Sequence, residues 1–309
     1  MKFILKILGF FRAQPIEIPD KLSLKAMEIV SQGLEADVAS PVWDQVFSKF
    51  PISGRINSGN VNADEIKRFY ENYFVNGLSD GACAGMGLSR PRFIFRYWSR
   101  TKDRIKKLEK LTDIQGNRPM HRPLSPLLDS GQPWLFKYGN TSINPEYPDH
   151  EYFARQIIDF TSLENATVVF IGDGSGVLSN MILNSMAVKK AIFIDLPHFL
   201  IRQMIVNSDL NCDQSYFAPN FAANIKVDGR VVFINQDSFP EISSEWVNKY
   251  LAIADDADAT EVFSYNKVDR SYGHANYHAV LAQHQLQRCY IFESVMRPNY
   301  FFEYFKRLK

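Results

Sequence analysis

The residues that could do chemistry begin with Gly172, Gly174 and Gly176, three glycines at alternate positions in Ile171-Gly172-Asp173-Gly174-Ser175-Gly176. They close the apolar run Thr167 to Ile171, which reads as a buried strand. Glycines so placed let the backbone turn sharply and approach a ligand closely. Asp195 ends the next apolar run, about 20 residues on, where a nucleotide-binding βαβ unit carries the carboxylate for its ribose. Such a turn cradles the adenosine part of a nucleotide-like cofactor.

The glycine spacing separates two cofactor classes. A dinucleotide turn reads G-x-G-x-x-G, and in that frame Val177 stands where the third glycine belongs. Starting the frame at Gly174 puts Ser179 there. The G-x-G-x-G pattern suits S-adenosylmethionine, which has no pyrophosphate to seat on the helix end. The plainer alternative is a βαβ unit that binds nothing.

Later strand ends offer groups for a reaction. Asn235, Asp237 and Ser238 follow one apolar run, and Tyr265 and Asn266 end another. Asp237 could act as a general base, or simply cap a turn. His274 follows Asn266 in a loop and is a second candidate base, since histidine titrates near neutrality. Tyr265 and Asn266 could stack on and hydrogen-bond a sugar ring, or cap their strand. His274 and His278 are four apart, but Ala275 stands where a zinc-protease motif needs glutamate, and no metal site is expected. Asp255, Asp256 and Asp258 read as a solvated acidic loop.

These groups need a sheet to hold them. From about Glu151 onward, strand and helix patterns alternate. The strands are Thr167 to Ile171, Ala191 to Asp195, Arg230 to Asn235 and Glu261 to Tyr265, with a weak one between Ser215 and Val227. Helices are expected near Val177 to Met186, Phe199 to Asn207, Ser243 to Ala252 and Ala275 to Leu286. Cys289 to Glu293 and Tyr300 to Phe305 could close the sheet as a hairpin. The alternation specifies an α/β fold with a mostly parallel sheet covered on both faces. The first half reads as helical: Leu22 to Val30, Val42 to Phe50, Ala63 to Phe74 and the basic stretch Arg90 to Leu111. A loop rich in proline and glycine, Gly116 to Pro148, separates the halves. A division follows into a helical cap at 1–148 and a cofactor-binding domain at 149–309.

Four segments resemble the sugar O-methyltransferases. They are Ile171-Gly172-Asp173-Gly174-Ser175-Gly176, Ile194-Asp195-Leu196-Pro197, Asn235-Gln236-Asp237-Ser238-Phe239-Pro240-Glu241 and Ser264-Tyr265-Asn266. Tyr138-Gly139-Asn140 is also similar to a segment this family carries ahead of its cofactor domain. The resemblance spans Tyr138 to Asn266 well and the N-terminal half loosely. It implies a Rossmann-like class I methyltransferase sheet of seven strands with a helical N-terminal region. It implies methyl transfer from S-adenosylmethionine to a sugar hydroxyl of a glycan or glycosylated metabolite. Gly172, Asp173, Gly174, Gly176, Asp195, Asn235 and Ser238 would then hold the cofactor, Tyr265 and Asn266 the sugar, with Asp237 or His274 as base. Two positions depart from the pattern. Phe170 stands where such enzymes place an acid two residues before the first glycine, and His198 replaces the glutamate after Leu-Pro. A nicotinamide oxidoreductase, and a non-catalytic glycan-biosynthesis partner with a degenerate fold, remain alternatives.

Composition sets the outer bounds. The chain has 309 residues, 46% of them apolar and 22% charged, as expected of an ordinary globular protein. Its net charge of +1 gives no sign of a nucleic-acid partner. Cys83, Cys212 and Cys289 are too few and too scattered for a disulfide framework, which suits a reducing, cytoplasmic location. The run Met1 to Arg12 begins like a signal peptide, but Lys6 interrupts it and no small-residue cleavage site follows. A short amphipathic helix is expected there, docked on the protein or touching the inner face of a membrane. The basic stretch Arg90 to Lys110 reads as a solvated face, or as a contact for a phosphate-bearing glycan or an anionic surface.

Overall fold

The computed structural model describes residues 10–12, 18–33, 51–76, 91–115, 134–138, 141–143, 147–222, 224–267 and 277–307. The N-terminal part contributes strand β1 (Phe10–Arg12) and helices α1 (Asp20–Ser31), α2 (Pro51–Asn57), α3 (Ala63–Asn76) and α4 (Pro91–Gln115). Short strands β2 (Trp134–Tyr138) and β3 (Thr141–Ile143) follow. The second part runs α5 (Tyr147–Phe160), β4 (Thr167–Ile171), α6 (Val177–Ser185), β5 (Lys190–Ile194), α7 (Pro197–Val206), β6 (Gln214–Phe217) and α8 (Pro219–Ala222). It ends with β7 (Arg230–Gln236), α9 (Ser244–Ala252), β8 (Ala259–Lys267), α10 (Tyr277–Gln283), β9 (Leu286–Glu293) and β10 (Tyr300–Arg307).

The main sheet has seven strands in the order β6-β5-β4-β7-β8-β10-β9. β4 pairs in parallel with both β5 and β7, which puts the reversal of strand order at β4, where ligands bind such sheets. β10 enters antiparallel between β8 and β9, so the terminal hairpin closes the sheet as expected. The strands are buried on both faces, hence their near-continuous apolar runs. One core holds Val168, Phe170, Phe193, Ile234, Phe263 and Phe302 under α5, α6 and the N-terminal helices. The other holds Val169, Ile171, Phe233 and Val262 under α9 and α10.

Two expectations fail in the first half. Phe10–Arg12 is not helical: it pairs antiparallel with Trp134, Leu135 and Phe136. The stretch expected to be loop between 116 and 148 contains β2 and β3, which complete a small three-stranded sheet with β1. Strands of three to five residues leave too short a pattern to be told from loop or helix. The helix expected at Val42 to Phe50 lies outside the described residues.

The N-terminal helices are fastened to the sheet by specific bonds. The Gln32 amide donates to Tyr216 O (3.1 Å) and accepts from Ala218 N–H (2.6 Å), gripping the end of edge strand β6. Asn57 Oδ1 lies 3.2 Å from the His198 amide nitrogen and 3.1 Å from its Nδ1. Tyr70 donates to the His198 carbonyl at 2.5 Å. His198, the departure noted in the Leu-Pro segment, therefore docks α2 and α3 onto α7. Burial, then the nearby Arg202, push its ring down to about 3, so it is neutral there.

Candidate active site

The glycine turn sits at the carboxyl end of β4, and its three glycines have φ of 66°, 53° and 75°. They do different work. A Cβ on Gly172 would overlap the Ser238 side chain, which donates to the Ile171 carbonyl at 3.0 Å. A Cβ on Gly176 would lie 3.1 Å from the Gln203 Cα, so this glycine lets α6 and α7 meet closely. A Cβ on Gly174 would find nothing within 4 Å. Gly174 is thus the member of the three that faces open space at the carboxyl end of the sheet. Gly174→Ala is expected to cost about 1–3 kcal/mol through its left-handed backbone, and Gly172→Ala more, because overlap adds to the same strain. Thermal melting of the two variants checks this, and equal losses would refute the different roles.

Asp195 completes the turn. Its Oδ2 accepts from Gly174 N–H (2.9 Å) and the Gln203 amide (2.7 Å), and its Oδ1 from Leu196 N–H (2.8 Å). A carboxylate has about four acceptor positions, so these three donors leave Oδ1 room for one incoming hydroxyl. Burial pushes the Asp195 carboxyl up to about 6. Asp173 is buried within the turn, and its Oδ2 accepts from Ser179 N–H at 3.3 Å. Its Oδ1 has no hydrogen-bond partner among the described residues, and burial pushes the carboxyl up to about 7. Phe170 stacks on Phe193 (5.2 Å), which stacks on Tyr216 (4.7 Å). A continuous aromatic column therefore occupies the place of the usual acid.

Asn235 ties three strands together. Its amide donates to the Ile171 carbonyl (2.9 Å) and to Ser238 Oγ, and its Oδ1 accepts from Phe239 N–H (3.1 Å) and Asn266 Nδ2 (2.9 Å). Asn235, Ser238 and Asn266 thus meet beside the glycine turn, bonded to one another, to β4, and to Phe239 and Ser264. Tyr265 is wholly buried, stacked on Phe153 (5.2 Å), with its hydroxyl 2.5 Å from Ser294 Oγ. Its ring packs inside the core rather than against open space.

Asp237 follows β7 with φ of 62°, a left-handed conformation that aspartate tolerates better than most residues. Arg297 Nη1 donates to its Oδ2 at 2.6 Å. Arg297 Nε donates to Asp149 Oδ2 (2.7 Å), which also takes Arg104 Nη1 (2.6 Å). Arg104, within the basic stretch, turns inward and joins α4 to α5. Beside this ion cluster, His150 Nδ1 lies 3.0 Å from Gln236 Oε1. His274 lies outside the described residues, as do Gly139 and Asn140. Sequence reasoning missed Asp149, His150, Gln236 and Arg297. Gln236 stands inside the Asn235 to Glu241 segment but carried no role there, the other three fall in no motif, and His150 and Gln236 are joined only by the fold.

His278 is bonded to Glu303 (2.9 Å) and Asp255 to His284 (3.0 Å). Among the described residues no group of three His, Cys, Asp or Glu could hold a metal, and no helix is long and apolar enough to cross a membrane.

The strand order, the single antiparallel insertion and the glycine turn at the reversal define the Rossmann-like class I methyltransferase fold. No family model and no curated protein matches the chain. Solved structures similar to it include the pyocyanin biosynthetic protein PhzM, at 10% identity and TM-score 0.42, over 53% of this chain and 57% of that one. The chain thus spans little more than half the length of PhzM. Magnesium protoporphyrin IX methyltransferase of Synechocystis PCC 6803, solved with S-adenosylhomocysteine, is similar at 14% identity and TM-score 0.40, over 55% and 90%. Geranyl diphosphate C-methyltransferase of Streptomyces coelicolor A3(2) is similar at 12% and 0.37, over 50% and 78%. Each is a likeness of backbone at low identity.

Proposed function

We propose that the protein transfers a methyl group from S-adenosylmethionine to a hydroxyl, and that the acceptor is a sugar of a glycan or glycosylated metabolite. The observation that carries the cofactor is the Gly174–Asp195 pairing: an open glycine whose N–H holds a carboxylate with one acceptor position to spare. In this reading the ribose hydroxyl takes that position on Oδ1. Asp173 Oδ1, a buried carboxylate oxygen lacking a partner among the described residues, supplies the acidic acceptor that Phe170 does not. The cofactor's far end then extends from β5 across the turn toward β7, where Asp237 and Arg297 stand.

Methyl transfer from a sulfonium is an in-line displacement with an activated donor. The protein's share is to align the hydroxyl and take its proton. The sugar acceptor rests on the resemblance of the four segments. Arg297 is offset by Asp149 and Asp237, and Arg104 by Asp149. The cluster therefore suits a neutral polyol at the reacting end, with any phosphate of the acceptor farther out. The region 1–148 is proposed as the cap and 149–309 as the cofactor domain, acting in the cytoplasm.

The test is methyl transfer onto a panel of free sugars and nucleotide-linked sugars, followed by mass spectrometry. A gain of one methyl on one of them supports the reading. S-adenosylhomocysteine binding without turnover on any of them would favour a non-catalytic role.

Cofactor affinity should depend on pH with a definite sign. The ribose hydroxyl donates to an ionised Asp195, whose carboxyl is raised to about 6. Affinity for S-adenosylhomocysteine is therefore expected to rise from about pH 5 to 7 as Asp195 ionises, with Asp173, raised to about 7, carrying the rise to about pH 8. Asp195→Asn should flatten the part of that rise below about pH 6; titrations at several pH values check it, and an unchanged slope there would contradict the role.

A further inference from the structure

Methyl transfer to a hydroxyl releases a proton, and resting on the methyl-transfer reading, the structure offers it a destination absent from every motif. Asp237 Oδ2 is already held by Arg297 at 2.6 Å. His150 lies in the first turn of α5, 8% exposed, and its Nδ1 is 3.0 Å from Gln236 Oε1. Gln236 ends β7, one residue past Asn235, which pairs with Ile171 at the lip of the glycine turn. A cofactor that anchors its ribose on β5 and crosses the turn therefore brings its far end to Gln236 and His150.

The hydrogen bond also sets the tautomer. An amide oxygen only accepts, so Nδ1 carries the hydrogen and Nε2 keeps the lone pair. We propose that His150 Nε2 accepts the acceptor's proton, with Gln236 orienting the ring. In the step, a hydroxyl oxygen lone pair forms the new bond to the methyl carbon. The carbon–sulfur bond breaks and its electron pair stays on sulfur, turning the sulfonium into a neutral thioether. The hydroxyl proton passes to Nε2, and the resulting imidazolium returns it to water as products leave. Asp149 and Asp237 both favour that imidazolium, while burial and Arg297 keep the resting ring neutral, pushed down to about 4.

The test has two arms, both on the full chain. In the first, 15N-histidine-labelled protein is observed by NMR with S-adenosylhomocysteine and then with S-adenosylmethionine. The His150 signals are assigned by their loss in His150→Gln, or in His150→Asn should the first variant not fold. Nδ1 is expected in its protonated form, and Nε2 as a lone-pair nitrogen that shifts when the neutral thioether is replaced by the sulfonium. In the second, His150→Gln should bind S-adenosylhomocysteine within about twofold of the unaltered protein. Its kcat on the sugar that the panel identifies should fall about 10²- to 10⁴-fold. An Nε2 signal indifferent to the sulfonium, the opposite tautomer, or a kcat within a few-fold of the parent would overturn the proposal. Failure of the unaltered protein to bind S-adenosylhomocysteine would instead remove the cofactor reading, and His150 with it.

Discussion

Asp149→Asn is expected to destabilise the protein by about 3–5 kcal/mol, the usual cost of removing one member of a buried ion cluster. The Asp149 side chain is 0% exposed and receives two arginines, Arg104 at 2.6 Å and Arg297 at 2.7 Å. Asparagine fits the same space and still accepts a hydrogen bond, but it brings no charge. Arg297 would keep Asp237, whereas Arg104, 18% exposed, would lose the carboxylate that neutralises it. Asp149 also lies in the first turn of α5, where a negative charge favours the helix dipole. Both effects act in the same direction. Urea denaturation should show the loss as a lower midpoint, and the melting temperature should fall by roughly 6–20 °C at about 2–4 °C per kcal/mol. Because Arg104 belongs to α4, the loss should also loosen the N-terminal helices from the sheet. A loss below about 1 kcal/mol would mean that both guanidiniums reach water and that the cluster does not hold the two parts together.

Asp195→Ala is expected to weaken S-adenosylhomocysteine binding at least tenfold, about 1.4 kcal/mol. Two losses combine. The proposed ribose hydroxyl loses its acceptor, and Gly174 N–H and the Gln203 amide lose the oxygen that holds the turn. Asp195→Asn keeps one acceptor oxygen and should fall between the two. Calorimetric titration reads all three proteins, and an alanine variant with unchanged affinity would take Asp195 out of the site.

The parts that were legible in the sequence are those with a short-range signal. Thr167 to Ile171 and Arg230 to Gln236 are buried on both faces, so their apolar runs show without any partner in view. The glycine turn is legible because three left-handed backbones need glycine. β6 was weak for a physical reason: as the edge strand Gln214–Phe217 it buries little besides Tyr216, and polar residues interrupt its pattern. β1 to β3 were missed because each is held by pairing with a distant or very short segment. The sequence also gave no hint that the basic stretch sends Arg104 inward, since its partner Asp149 belongs to another helix. His150 and Gln236 meet only because α5 lies over the end of β7. Their contact spans 86 residues, and no periodicity encodes it.

The turn at Gly172 to Gly176 is expected to bind a nucleoside sulfonium cofactor. The most direct test of this is calorimetric titration of the purified protein with S-adenosylhomocysteine, with oxidised and reduced nicotinamide dinucleotides as parallel titrants. Micromolar binding of S-adenosylhomocysteine and none of the dinucleotides is expected. Binding of a dinucleotide in its place, or of neither ligand, would contradict it.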